Sequence, residues 1–180
     1  MSLFLIVFLG TESIQAQDSS DTWTFYMAFE DATGARDTFW VVWSEQGHAG
    51  YADPDLGEVQ IELDNTTFTV WKEQFEFGQY YDHYVSELDG ATNFSLGANN
   101  YVLPLTASWD TSLFQAEILH EVFGFGVNDA RLENEYMPLE TGFNMLETDH
   151  VEMPWFPWGS QSHFPLFVYI SCGPTDDVPT

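Results

Sequence analysis

The chain has almost no positive charge. Arg36, Lys72 and Arg131 are its only basic side chains apart from histidine, against 29 Asp and Glu, and the formal net charge is −26 over 180 residues. Nucleic-acid affinity depends on Lys and Arg displacing counterions from phosphate, so DNA, RNA and anionic membranes are poor candidates as partners, and no nucleic acid is expected among them. The charge is not a mark of disorder. With 44% hydrophobic and 17% aromatic residues, the composition is opposite to that of chains too polar to fold. It reads as a solvated acidic surface that repels itself and is relieved by salt or divalent cations.

Cysteine is nearly absent as well. Cys172 is the single thiol, so no internal disulfide forms, and a buried, inert role is expected for it. The core must then be held by apolar packing, to which seven Trp and sixteen Phe are suited. No apolar run approaches the roughly 20 residues needed to cross a membrane, and no membrane insertion is expected. Leu3 to Leu9 is a short apolar run followed by small residues ending at Ala16, the pattern of a secretory signal peptide. No Lys or Arg precedes that run, and an N-terminal β-strand is the alternative reading. The expected organisation is a signal peptide over 1–16, one domain over 17–172, and a linker or tail over 173–180.

What is present is β-structure. From Asp21 to Trp43, two runs rich in aromatic and β-branched residues flank a turn at Asp31 to Ala35, which predicts a β-hairpin. Trp23, Phe25, Met27 and Phe29 occupy alternate positions, the period of two that places one face of a strand in a core. The second run is apolar on both faces (Phe39, Val41, Trp43 and Trp40, Val42), which predicts a central strand. Val59, Ile61 and Leu63 alternate with Gln60 and Glu62 and predict a half-buried strand, with Thr67 to Trp71 returning antiparallel to it after a turn at Asp64-Asn65. Tyr101 to Trp109 predicts strand segments with Pro104 at an edge or bulge. Ser112 to Phe123 carries a passable helical stripe weakened by Gly124-Phe125-Gly126 and β-branched residues, and extended structure with one helical turn is the expectation. Arg131 to Tyr136 is weakly patterned, and His163 to Ser171 predicts the last strand, with Phe164, Leu166, Val168 and Ile170 on one face. Short strands separated by turn signals are the pattern of an all-β fold, here an antiparallel β-sandwich in a single domain.

Three groups of side chains invite a functional reading. Asp53, Asp55 and Glu58 set three carboxylates in a glycine-containing loop, and hard cations such as calcium take oxygen ligands at such spacings. A solvated acidic loop is the competing account. Trp155, Phe156 and Trp158, set among Pro154 and Pro157, make a candidate aromatic platform for stacking on sugar rings, with core capping as its competitor. His120-Glu121 begins a zinc-protease pattern, but Gly124 stands where the second histidine belongs. No Gly-x-Ser-x-Gly elbow is present, and with 29 acids a pair of carboxylates spaced for glycoside hydrolysis carries no information.

Several phrases together resemble a family. Phe29-Glu30-Asp31-Ala32-Thr33-Gly34-Ala35-Arg36-Asp37-Thr38, Asp53-Pro54-Asp55-Leu56-Gly57-Glu58, Ser108-Trp109-Asp110-Thr111-Ser112-Leu113-Phe114 and His163-Phe164-Pro165-Leu166 are similar, in the same order, to segments of uncharacterised secreted proteins of Bacteroidota, often exported by the type IX route. That resemblance implies a β-rich extracellular module and supplies no catalytic residues. The expectation is a non-enzymatic, secreted or cell-surface β-sandwich serving in adhesion or carbohydrate binding, with a polysaccharide or another extracellular protein as partner. The alternatives are a carboxylate-dependent hydrolase and a plain structural stalk.

Overall fold

A computed structural model describes residues 22–48, 51–64, 66–73, 78–86, 91–115, 119, 125–134, 142–153 and 166–174. The hairpin expected at the start is there: β1 (Thr22–Asp31) and β2 (Arg36–Ser44) pair antiparallel from Thr22 opposite Ser44 to Glu30 opposite Arg36. Its turn is organised by the Asp31 carboxylate, whose Oδ1 accepts the amides of Thr33 and Ala35 at 2.8 and 3.0 Å. The same carboxylate accepts the amide of Val102 through Oδ2 at 2.9 Å, so the turn also fixes a distant connection.

The remaining strands are β3 (Gln60–Ile61), β4 (Thr69–Glu73), β5 (Tyr80–Tyr81), β6 (His83–Ser86), β7 (Ala91–Asn99), β8 (Leu105–Ser108), β9 (Phe125–Asn134), β10 (Phe143–Asn144), β11 (His150–Met153) and β12 (Leu166–Pro174). They form a five-stranded sheet, β11-β8-β1-β2-β6, and a seven-stranded sheet, β10-β9-β12-β7-β4-β5-β3. Both inner faces supply one core: Trp23, Phe25, Met27 and Phe29 of β1 and Phe39, Val41 and Trp43 of β2 meet Phe94, Leu96, Leu132, Val168 and Ile170 of the larger sheet. Each large apolar side chain buried in this way contributes about 1.5–3 kcal/mol. The fold is thus an all-β sandwich with mostly antiparallel sheets, and Leu166, Val168 and Ile170 face the core in the phase that their alternation predicts.

Several expectations are corrected. Val59 to Leu63 does not make a hairpin with the segment that follows. Only Gln60–Ile61 is strand, Val59 is 53% exposed, and β3 pairs with β5 while β4 pairs with β5 and β7. Alternation specifies a face, not a partner. The antiparallel rule also has an exception: β6 runs parallel to β2, Trp40 opposite His83 and Trp43 opposite Ser86. A parallel neighbour needs a long crossover, and here the crossover is β3, β4 and β5, which belong to the other sheet. The one helical turn allowed near Ser112 is a 3-10 turn over Thr111–Gln115, and most of the rest of that segment lies outside the described residues. The weakly patterned region around Arg131 lies in β9, which pairs with both β10 and β12. The last strand runs through Pro174, three residues beyond its expected end at Ser171, with a register shift between Ser171 and Cys172.

Candidate functional site

Because successive side chains of a strand point to opposite faces, burying the odd positions of β1 and β2 turns Tyr26 and Trp40 outward. The hairpin register sets these two directly opposite each other. The parallel strand β6 then sets His83 opposite Trp40. Three rings therefore line up across three adjacent strands on the outer face of the smaller sheet. Tyr26 and Trp40 have centroids 5.4 Å apart at 52°, and Trp40 and His83 are stacked at 6.2 Å and 14°. All three residues are half-buried.

A carboxylate stands at one end of this row, and another lies past the end of the neighbouring strand β8. At one end Asp82 places Oδ1 2.9 Å from His83 Nδ1, a nitrogen with no hydrogen-bond partner among the described residues. The same Oδ1 accepts the Val59 amide at 3.3 Å. Ser108 of β8 lies opposite Ala28. Two residues beyond the end of that strand comes the exposed Asp110. Its Oδ1 accepts the amide and hydroxyl of Ser112 at 2.9 and 2.7 Å. The Ser112 hydroxyl first, and then the amide, hold the Asp110 carboxyl below its ordinary value.

The connection from β2 to β3 walls the His83 side of the row. A Cβ on Gly47 would fall 2.6 Å from the Ser86 carbonyl oxygen, and one on Gly57 would fall 3.5 Å from His83 Nε2. The loop thus lies directly on β6. Pro54–Leu56 makes one 3-10 turn, closed by Gly57 at φ 93°, a left-handed conformation that glycine adopts without steric cost. Tyr51, 73% exposed, meets the His48 ring edge-on at 6.0 Å.

The three carboxylates singled out from the sequence lie in this loop and have separate roles. Asp53 accepts the His48 amide at 2.7 Å and lies 3.0 Å from His48 Nδ1. Asp55 is exposed. Glu58 is 1% exposed; its Oε2 accepts the Asp53 amide at 2.9 Å, and its Oε1 has no hydrogen-bond partner among the described residues. No group of three or more His, Cys, Asp or Glu that could hold a metal occurs among the described residues. Trp155, Phe156 and Trp158, like His120 and Glu121, fall outside the described residues.

Glu58 belongs instead to the seam where the chain leaves β5 for β6 and changes sheets. Burial raises its carboxyl above the ordinary range, against the Asp53 amide and the Lys72 ammonium, which favour the ionised form. Lys72, 7% exposed on β4, is drawn down to about 8 by burial, with Glu58 pulling the other way. Its Nζ lies 3.9 Å from the centroid of the Tyr84 ring, a cation–π contact, and the Tyr84 hydroxyl shares a 2.6 Å hydrogen bond with Thr92. Shifted groups of this kind mark functional sites in many proteins. Here the acid is sealed from solvent, which suits a structural carboxylate that anchors the loop beside the aromatic row.

The hairpin half of the row was legible: opposite phases around a short turn place Tyr26 across from Trp40. His83 was not, since nothing local indicates that β6 joins β2 in parallel. No protein-family model, no curated protein and no solved structure matches the chain. Fold and site together define the class as a β-sandwich with an aromatic strip on one outer face.

Proposed function

We propose that the protein is a non-enzymatic, secreted or cell-surface β-sandwich module that binds carbohydrate, with the outer face of the five-stranded sheet as its binding surface. One observation carries the reading: Tyr26, Trp40 and His83 stand at one level across β1, β2 and β6 and face away from the core. Aromatic faces stack on the C–H faces of sugar rings, and side chains anchored in adjacent strands are fixed before the ligand arrives, which lowers the entropic cost of binding. The leader-like segment at residues 1–16 and the resemblance to secreted proteins support an extracellular setting.

The test is retention on a panel of insoluble polysaccharides. Wild type is expected to be retained on at least one, and Trp40→Ala and Tyr26→Ala to lose most of that retention while melting within a few degrees of wild type. Base–aromatic stacking, the nearest measured analogue, is worth about 1–3 kcal/mol per ring, so a loss of roughly tenfold or more per substitution is expected. Trp155, Phe156 and Trp158 are the second aromatic group proposed for stacking. If Trp155→Ala with Trp158→Ala abolishes retention while Trp40→Ala leaves it intact, the binding surface is theirs and the outer-face assignment is wrong.

A further inference from the structure

Two side chains on the outer face of the smaller sheet are buried without belonging to the core. Val42 of β2 and Val85 of β6 stand opposite each other in the outward phase, two residues along each strand from Trp40 and His83. They are 5% and 0% exposed, yet neither belongs to the apolar cluster between the sheets. The connection from β2 to β3 lies over this pair at Val85: a Cβ on Gly47 would fall 3.1 Å from Val85 Cγ1 and 2.6 Å from the Ser86 carbonyl oxygen. That connection is held by little. Among its described residues, 45–48 and 51–59, Gly47 and Glu58 alone are buried. The first has no side chain, and Oε1 of the second has no hydrogen-bond partner among the described residues. Pro54–Leu56 buries no residue, and Tyr51 and Val59 are 73% and 53% exposed. Its hydrogen bonds turn inward on itself: the Leu56 and Glu58 amides reach the Asp53 carbonyl at 3.0 and 3.2 Å, and the Gly57 amide reaches the Pro54 carbonyl at 3.1 Å. Its bonds to Asp82, just before β6, are longer, at 3.3 Å from the Val59 amide and 3.5 Å to the Val59 carbonyl.

We infer that the β2–β3 connection is a lid, which lifts from β6 as a unit while the sandwich stays folded and uncovers Val42 and Val85 as a second rank beside Trp40 and His83. A segment with few buried contacts opens at a lower free energy than the sheet beneath it. Closure is favoured by keeping the two valines from water. It is opposed by the unpaired Glu58 oxygen, which opening returns to solvent. Because the connection closes its hydrogen bonds within itself, it can move without breaking them. The lifting stands apart from the carbohydrate-binding reading; only the use of the uncovered valines by a sugar would rest on it.

Cysteine accessibility tests the lid. Val85→Cys, beneath it, and Val41→Cys, in the core on the neighbouring strand, are each made with Cys172→Ser and alkylated at about pH 8 in increasing urea. Without urea, Val85→Cys is expected to label at least about tenfold faster than Val41→Cys. Its rate should be nearly flat at low urea, because lifting the lid exposes little surface, whereas Val41→Cys follows the steep dependence of global unfolding. Gly47→Ala sets a methyl group against the Ser86 carbonyl. It should speed the labelling of Val85→Cys by about tenfold or more and leave Val41→Cys unchanged. Equal rates and equal urea slopes for the two cysteines overturn the inference, because Val85 would then be reached only through unfolding. So does a Gly47→Ala effect that is equal at both positions or absent from both, since the connection would then be an integral part of the sandwich or would not cover Val85.

Discussion

Asp37 and Val70 join the two sheets. Asp37 Oδ2 on β2 accepts the amide of Val70 on β4 at 2.6 Å, and Oδ1 accepts the Thr38 amide at 2.8 Å. Burial raises the Asp37 carboxyl above its ordinary value of 3.8, against the pull of those two amides. The sign follows by linkage: its contribution is fully present below 3.8 and is lost as pH rises through the higher folded-state value. Asp37→Asn keeps an acceptor and removes the charge, so it should gain stability relative to wild type between about pH 4 and pH 7. Asp37→Ala leaves the Val70 donor unpaired and should cost about 1–3 kcal/mol. Urea unfolding at the two pH values checks both, and an asparagine variant that tracks wild type throughout would rule out burial as the source of the shift.

Lys72 is expected to matter most where Glu58 is ionised. Glu58 has a folded-state value above 4.5, so its contribution is in place below 4.5 and is lost as pH rises through that folded value. Lys72→Met removes a cation that restrains the rise, and more stability is then lost over the same range. The deficit of the variant against wild type should widen between about pH 4.5 and pH 7 to the order of 1–3 kcal/mol, the cost of a buried group left unsatisfied. Chemical denaturation at both ends of the range measures it. A deficit equal at both would assign the effect to the Tyr84 contact alone.

Gly97 is required by Trp71. These residues face each other across β7 and β4, and a Cβ on Gly97 would stand 2.5 Å from Trp71 Cε2 and Nε1. Trp71 is buried, so its ring cannot swing into solvent. Gly97→Ala should destabilise by about 1–3 kcal/mol through overpacking. Combining it with Trp71→Leu, which removes the clash, should cost less than the sum of the two single changes. An additive pair in thermal melts would show that the glycine is not there for the tryptophan.

Cys172 should react only in the unfolded chain. It is half-buried at the register shift of β12, and burial pushes its thiol up to about 12. The thiolate is the nucleophile, and a raised value leaves little of it at neutral pH. Labelling by an alkylating reagent at about pH 8 is expected to be slow in the native protein and rapid in denaturant. Mass spectrometry of the two time courses checks this, and equal rates would place the thiol in solvent.

Much of the framework was legible in local pattern. The alternation in Trp23, Phe25, Met27 and Phe29 sets a buried face, and the Asp31 to Ala35 turn sets the register of the first hairpin, so half of the aromatic row follows from adjacent residues. Leu166, Val168 and Ile170 likewise declare their face. The misread segments failed for a common reason. Val59 to Leu63 alternates as well as any strand here, but its burial depends on what lies against it, and in the fold only Gln60–Ile61 is strand, at the edge of the larger sheet beside β5. β9 is polar along much of its length and gains its place from β12 and β10 rather than from its own pattern. The acidic loop showed Asp53, Asp55 and Glu58 as three equivalent carboxylates, yet one is buried, one bonds within the loop and one is exposed.

The sequence by itself determined an acidic surface, an all-β chain without disulfides, and which face of its best-patterned strands lies inward. These follow from composition and from the period of two, both of which are local properties. The tertiary structure alone decided which strands meet. The parallel pairing of β6 with β2 carries His83 to Trp40, and the change of sheet at Asp82 puts a carboxylate at the end of the row and Glu58 within reach of Lys72. Such contacts join residues far apart in the chain, and their energy depends on how every other strand is already placed. A strand's own side chains encode its buried face but not the identity of its neighbour.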